Sequence, residues 1–426
     1  MKFSRLGLIV LIGLMGSAFV PLVGESSLLS FTAVVAQTNQ ERKEEADRLL
    51  GRGYQQYQAS QFQHSLQLYQ QALEIYQEIG ERRREALSLG AIALTYESLY
   101  QYKEVINYYQ QSLAIYRNIG ELEEIADLLA KLGINYYLLG QYGKAIHYYQ
   151  QSLAIYIKIG EPEVIADSLG NLGLVYYYLG QHGEAINYYQ QSLDIDREIH
   201  NQEGLANSLN GLGNVYYSLG QYEKAIDYHQ QSLVIDREIG NQEGMGNSLG
   251  NLGVIYQNLE EYEKAIDYHQ QSLAIDKEID DQEGLAITFN NLGLIYQNLE
   301  EYEKAIDYHQ KSLAIFYSIG NQAGVAIALN NWGINLFVVD NLTAAESKLI
   351  EAMKVNESLR KGLSDDQKIS IFETQIGTYT VLQLTLTAQN KTNQALEISE
   401  RGRARALVEL LDLLQKSHKK GIKRLA

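Results

Sequence analysis

Three histidines, His229, His269 and His309, stand 40 residues apart. A repeated imidazole could ligate a metal or carry protons. All three occupy the place that Tyr69, Tyr109, Tyr149 and Tyr189 take at the same spacing. Equivalent side chains on packed neighbouring helices lie about 10 Å apart, whereas zinc holds its nitrogens at about 2 Å. A metal row is therefore not expected, and these residues are expected to be buried or half-buried histidines paired to a neighbour. The chain has no cysteine, so thiolate ligands, cysteine nucleophiles and disulfides are absent. No glycine-rich phosphate loop occurs, and nearly every polar residue of interest recurs along the chain, whereas catalysis needs one unique constellation. A non-catalytic protein without metal or cofactor is expected.

A second set of side chains offers recognition chemistry. It comprises Asn171, Tyr177, Asn210, Asn214, Tyr217, Asn251, Gln257, Asn290, Asn291, Gln297, Asn330, Asn331 and Phe337. An asparagine amide offers two donors and an acceptor, which suits the backbone of an extended peptide without demanding a particular sequence. The same amides could instead bond one helix to the next as a ladder, and both readings stand at this point. The chain has 33 tyrosines against 8 phenylalanines. A tyrosine ring packs while its hydroxyl reaches water or a partner, so the stripe that includes Tyr136, Tyr176 and Tyr216 is expected to be mainly core, with a carbohydrate-stacking surface as the alternative.

These residues need a framework that repeats. Shifted by 40 residues the chain matches itself, and Leu252–Gln270 and Leu292–Gln310 differ only at Val254 against Leu294. A marker glycine recurs at Gly133, Gly173, Gly213, Gly253, Gly293 and Gly333, and earlier at Gly53, with Ala93 between. In Leu205–Leu219, apolar residues fall three and four apart, one stripe of an amphipathic helix. Gly220-Gln221 breaks it, a second helix follows, and Gly240-Asn241 ends that. Small residues at the marker and twelve positions later let the helices approach closely. With only two prolines in 426 residues, the chain is expected to be mostly helical. Its organisation reads as residues 37–360 for eight repeats, 361–415 for a degenerate ninth helix pair and 416–426 for a basic tail.

The order Leu172-Gly173, Tyr176, Ala185, Tyr189, Ser192 resembles the tetratricopeptide repeat. The repeat here is 40 residues long, and Arg197 stands where the family has a proline, so the branch resembled is the longer, kinesin-light-chain-like one. The resemblance implies an all-α, right-handed superhelical solenoid of helix hairpins. It also implies a concave groove, formed by the first helices, that binds other proteins or peptides. In related arrays a groove asparagine holds peptide backbone, and Asn290 and Asn330, each opening an Asn-Asn pair before the marker, look similar. The stretch from Ala395 to Leu407 resembles the joint between a bacterial tetratricopeptide array and a caspase-like CHAT peptidase domain. No cysteine is present, so no catalytic residue carries over.

The ends add location. Lys2 and Arg5 precede an uncharged apolar run, Leu6–Val23, and Val34-Val35-Ala36 fits a small-residue cleavage site. Residues 1–36 thus read as a signal peptide cut after Ala36, or as an uncleaved N-terminal anchor. Either places the body outside the cytoplasm, periplasmic or secreted if cut and membrane-anchored if not. Thr38 and Glu41 have capping-box spacing, a helix start just after the cut. Net charge is -17, which repels phosphate backbones, so nucleic acid is not an expected partner. The exception is the end: from Arg401 onward eight Lys and Arg face only Glu409 and Asp412. The function expected is a protein-protein scaffold. The alternatives are the regulatory half of a truncated or split CHAT-type cysteine peptidase and a cell-envelope glycan-binding module.

Overall fold

The computed structural model describes residues 25–360 and 365–402, with side chains for 38–359 and 376–402. Every described element is an α-helix, and no strand occurs among the described residues. The Leu6–Val23 run, the last five residues of the CHAT-like joint (403–407) and the basic tail lie outside them. Among the described residues no helix is long and apolar enough to cross a membrane.

Each repeat is a pair of helices. In the Gly213 repeat the first helix is Gln202–Ser218 and the second Tyr222–Ile239; in the Gly253 repeat they are Gln242–Asn258 and Tyr262–Glu278. Between them the chain turns through one left-handed residue, Gly220 at φ 69° and Glu260 at φ 61°. The turn closes on backbone bonds: the N–H of Gln221 reaches the carbonyl of Tyr216, and that of Glu261 reaches Tyr256, both at 2.9 Å. This is a Schellman-type C-cap. Non-glycine residues (His200, Glu260, Asp280, Glu300 and Asp340) also take left-handed positions in these turns. Pro162 opens its helix, where its missing N–H costs nothing.

Packing explains the marker. The leucine before it (Leu172, Leu212, Leu252, Leu292) and the alanine twelve after it (Ala185, Ala225, Ala265, Ala305) are fully buried. The closest approach, however, is to the ring sixteen positions on. A Cβ built on Gly213 would stand 2.6 Å from the His229 ring, one on Gly253 2.7 Å from His269, and one on Gly173 3.0 Å from Tyr189. The ring of the second helix thus lies flat on the bare backbone of the first. A serine three residues past the ring fastens the pair: Ser192 donates to the Ala166 carbonyl at 2.8 Å and Ser232 to that of Ala206 at 2.9 Å.

The chain divides into two compact units, residues 1–135 and 136–426. The first begins with the helix Glu25–Gln58, which runs without a break through Ala36 and Gln37. Thr38 is therefore inside this helix and not at its start: the intact chain is already helical upstream, and alanine and leucine there favour it, so no cap is needed. Ala46, Ala72 and Tyr76 form one core of this unit, and Leu66, Tyr69 and Ile92 another. In the second unit Asp365–Ala388 packs on Leu342–Arg360 through Leu349, Met353, Tyr379, Leu382 and Leu386; Ala395 and Ile398 of the following helical stretch complete that cluster.

Candidate functional site

The asparagines of the first helices play two parts, and Asn210 plays both. Some bond helix to helix. Asn251 donates to the Asn210 amide oxygen at 3.0 Å, and Asn331 to that of Asn290 at 3.0 Å. The ladder reading is realised at these two rungs, each joining the residue three before one marker to the residue two before the next. Asn330 and Asn290 are each only 9% exposed, and Thr378 donates to Asn330 at 2.8 Å. Farther along, Asn335 donates to Gln297 at 2.9 Å and Asn258 to the Tyr217 hydroxyl at 2.9 Å. The hydroxyl of Ser218 donates to that of Tyr177 at 3.3 Å. Asn251, Asn291, Gln257 and Phe337 are half-buried on the same helices.

The second part is to line an open cleft. Asn171, Asn210 and Asn214 gather with Asn207 and Asp167 around a cavity of about 430 Å3, floored by Tyr189, Ser192 and Asp196. Two successive first helices, Pro162–Tyr178 and Gln202–Ser218, form its walls. Of the sequence-predicted residues, three are brought together here, while Gln297, Asn330, Asn331 and Phe337 lie several repeats away.

The histidines are fully buried: His229, His269 and His309 are each 0% exposed. The expected pairing to a neighbour is not found, because neither ring nitrogen of any of the three has a hydrogen-bond partner. The ring lies face-on against the marker glycine, and van der Waals packing fills its edge. Burial without a partner disfavours the cation, and each pKa is lowered from 6.5 to about 4. No group of three metal-ligating side chains occurs among the described residues.

The tyrosines stack on each other. Tyr216 lies on Tyr228 at 5.3 Å between centroids and 5° between planes, Tyr256 on Tyr268 at 5.3 Å and 4°, and Tyr296 on Tyr308 at 5.4 Å and 4°. Lys224, Lys264 and Lys304 cap the first ring of each pair, 4.8, 5.0 and 4.9 Å from its centroid. Both faces of Tyr216, Tyr256 and Tyr296 are thus used within the repeat.

One network was not foreseen. Asp196 is 1% exposed and accepts from the Asn201 amide at 2.9 Å, while Asn201 caps the next helix by accepting from the Gly204 N–H at 3.1 Å. Asp236, Asn241 and Gly244 repeat the arrangement. A Cβ on Gly204 would stand 2.3 Å from the Asp196 carboxylate, so the third helical residue must be glycine. The recurring run from Asp196 to Gly204 and from Asp236 to Gly244 was its signal in the sequence. In the following repeat Asp281 replaces the asparagine and cannot donate. Burial chiefly, with the Asp281 charge adding, raises the Asp276 pKa to about 6 against the pull of Thr288 and Ser272. A folded-state value above the unfolded one destabilises the fold at neutral pH and is relieved as pH falls. Asp281→Asn should restore the amide donor and stabilise the protein by about 1 kcal/mol at pH 7. Thermal melts at pH 7 and pH 4.5 check this, since the gain should shrink at the lower pH.

Helix pairs stacked in register, each too small to hold a core alone, define a helical-hairpin repeat array. The tetratricopeptide repeat profile matches residues 44–118, 102–158, 124–198, 164–238 and 244–318. The chain belongs to the tetratricopeptide repeat family. It is 36% identical over 80 residues to tetratricopeptide repeat protein 28 of Mus musculus and of Homo sapiens, a match of 18% of this chain and 3% of those relatives' length. Among solved structures it resembles a Pyrococcus horikoshii signal transduction ATPase with a tetratricopeptide repeat sensor. The TM-score there is 0.57 at 19% identity, over 84% of this chain and 54% of that one. It also resembles aspartyl phosphate phosphatase F of Bacillus subtilis, with a TM-score of 0.53 at 17% identity, over 92% and 97%. At such identities these two likenesses concern the fold alone. The fold is all-α, a solenoid of tetratricopeptide hairpins, a scaffold suited to protein-protein interaction.

Proposed function

We propose that this protein is a non-catalytic scaffold that holds extended peptide segments of other proteins along its first helices, outside the cytoplasm. One observation carries the reading: the amides of Asn171 and Asn214, with Asn207 beside them, line an open cleft and make no side-chain bond within the described residues. Free amides at a half-buried surface are ready to pair with peptide N–H and C=O groups. The bonded rungs Asn210–Asn251 and Asn290–Asn331 keep the helices in register, and each amide there retains a second donor. The outward location rests on Lys2, Arg5, the apolar run and the small residues before Gln37. Sequencing the mature N-terminus should give Gln37; an N-terminus at Met1 in a protein found in the cytoplasm would refute export.

The groove is tested by affinity capture of cross-linked partners from the envelope fraction. Asn171→Ala with Asn214→Ala should lose a captured partner, or bind it at least tenfold more weakly, with helicity unchanged, because neither side chain supports the fold. Undiminished capture by the double variant would refute the groove.

A further inference from the structure

Across the first helices the rungs are not equal. Asparagine meets asparagine at 210 with 251 and at 290 with 331. At the matching positions 170 and 211 both residues are glycine. That rung has no side chains, and the cleft of about 430 Å3 opens there, within the range of small-ligand sites, about 300–1,000 Å3. Gly211 also admits the ring behind it: a Cβ there would stand 2.5 Å from Tyr189.

The cleft is negative. Its lining holds Asp167 and Asp196 and no lysine or arginine. Asp167 makes no side-chain bond, and burial with the charges of Glu163 and Glu203 raises its pKa. Asp196 on the floor is raised chiefly by burial, with the charges of Asp167 and Glu163 adding against its bonds from Asn201 and Ser192. Carboxylates crowded without a cation are relieved by one. The amide oxygens of Asn171 and Asn214 add acceptors on the walls, and Tyr189 supplies an aromatic floor.

We propose that the cleft between residues 170 and 211 takes the cationic side chain of a lysine or arginine in the bound peptide. This selectivity rests on the groove reading above. The peptide backbone lies across the asparagines while the cationic head enters the missing rung and meets Asp167. Binding then strengthens as pH rises through the carboxylate range and weakens with salt.

The test uses the full chain and four fluorescent, end-blocked, degenerate dodecapeptide libraries with lysine, arginine, norleucine or glutamate fixed at the centre. Anisotropy should show the lysine and arginine libraries binding at least tenfold more tightly than the other two. Gly170→Asn supplies the side chain found at Asn210, and a Cβ there meets nothing nearer than the Ser192 hydroxyl at 3.7 Å. It should abolish the preference without changing the thermal melt. Asp167→Asn, which removes the charge and keeps the side chain's size, should cut the preference about tenfold and leave norleucine binding unchanged, so the question is decided even if Gly170→Asn misfolds. Equal binding of the four libraries, or a preference that survives both substitutions, overturns the cationic pocket but leaves the groove. Failure of all four libraries to bind overturns both.

Discussion

Acidification from pH 7.5 to 5 should remove about 2 kcal/mol of stability for each of His229, His269 and His309. Their folded pKa values of about 4 lie below the ordinary 6.5. Protons therefore bind the unfolded chain more tightly, and the stability present above pH 6.5 is lost as pH falls toward 4. Asp276, raised to about 6, works the other way and returns about 1 kcal/mol over the same interval. Asp196 and Asp236, also raised, oppose the loss too. Three histidines outweigh them. Because contacts in such an array are between neighbours, hydrogen exchange should quicken first in the repeats marked by Gly213, Gly253 and Gly293. Tyrosine holds the same place at Tyr149 and Tyr189, so the variant with all three histidines changed to tyrosine should keep its stability to pH 5. Urea titrations at pH 7.5, 6 and 5 measure this; the same acid slope in the variant would mean that the histidines do not carry it.

Gly253→Val should cost about 3 kcal/mol or more in urea denaturation. The added Cβ would stand 2.7 Å from the His269 ring, and both ring and helix are held in a close-packed interior. Gly253→Ala should cost less, since Ala93 stands at that position against the buried Tyr109. His269→Ala makes a cavity and is destabilising alone, yet it vacates the space a valine needs. The two changes together should cost at least 1 kcal/mol less than their sum. Strict additivity would show that the glycine is not there to seat the ring.

The 40-residue period makes the helix pairs legible, because the apolar spacing recurs in each repeat and the breaks at Gly220 and Gly240 set its boundaries, even where Glu260 or Asp280 replaces the glycine. Contacts across repeats were harder to read. The ladder's rungs pair residues 41 apart, as at Asn210 and Asn251, an offset that the 40-residue period does not mark. The double glycine at 170 and 211 is visible only once that offset is known. The spacing puts the histidines in the core, as found, but not their lack of a partner; whether an imidazole finds one depends on atoms from two helices, which spacing does not specify. Thr38 looked like a cap because capping-box spacing is local, whereas the helix that contains it begins upstream.

The central claim is that partners lie along the first helices. Photo-cross-linking tests it most directly, with benzoylphenylalanine placed one site at a time. Asn207, exposed beside the cleft, reports on the first helices, and Gln231, exposed on a second helix, reports on the opposite layer. The account predicts a partner adduct from position 207 and none from 231. An adduct from 231 alone would contradict it.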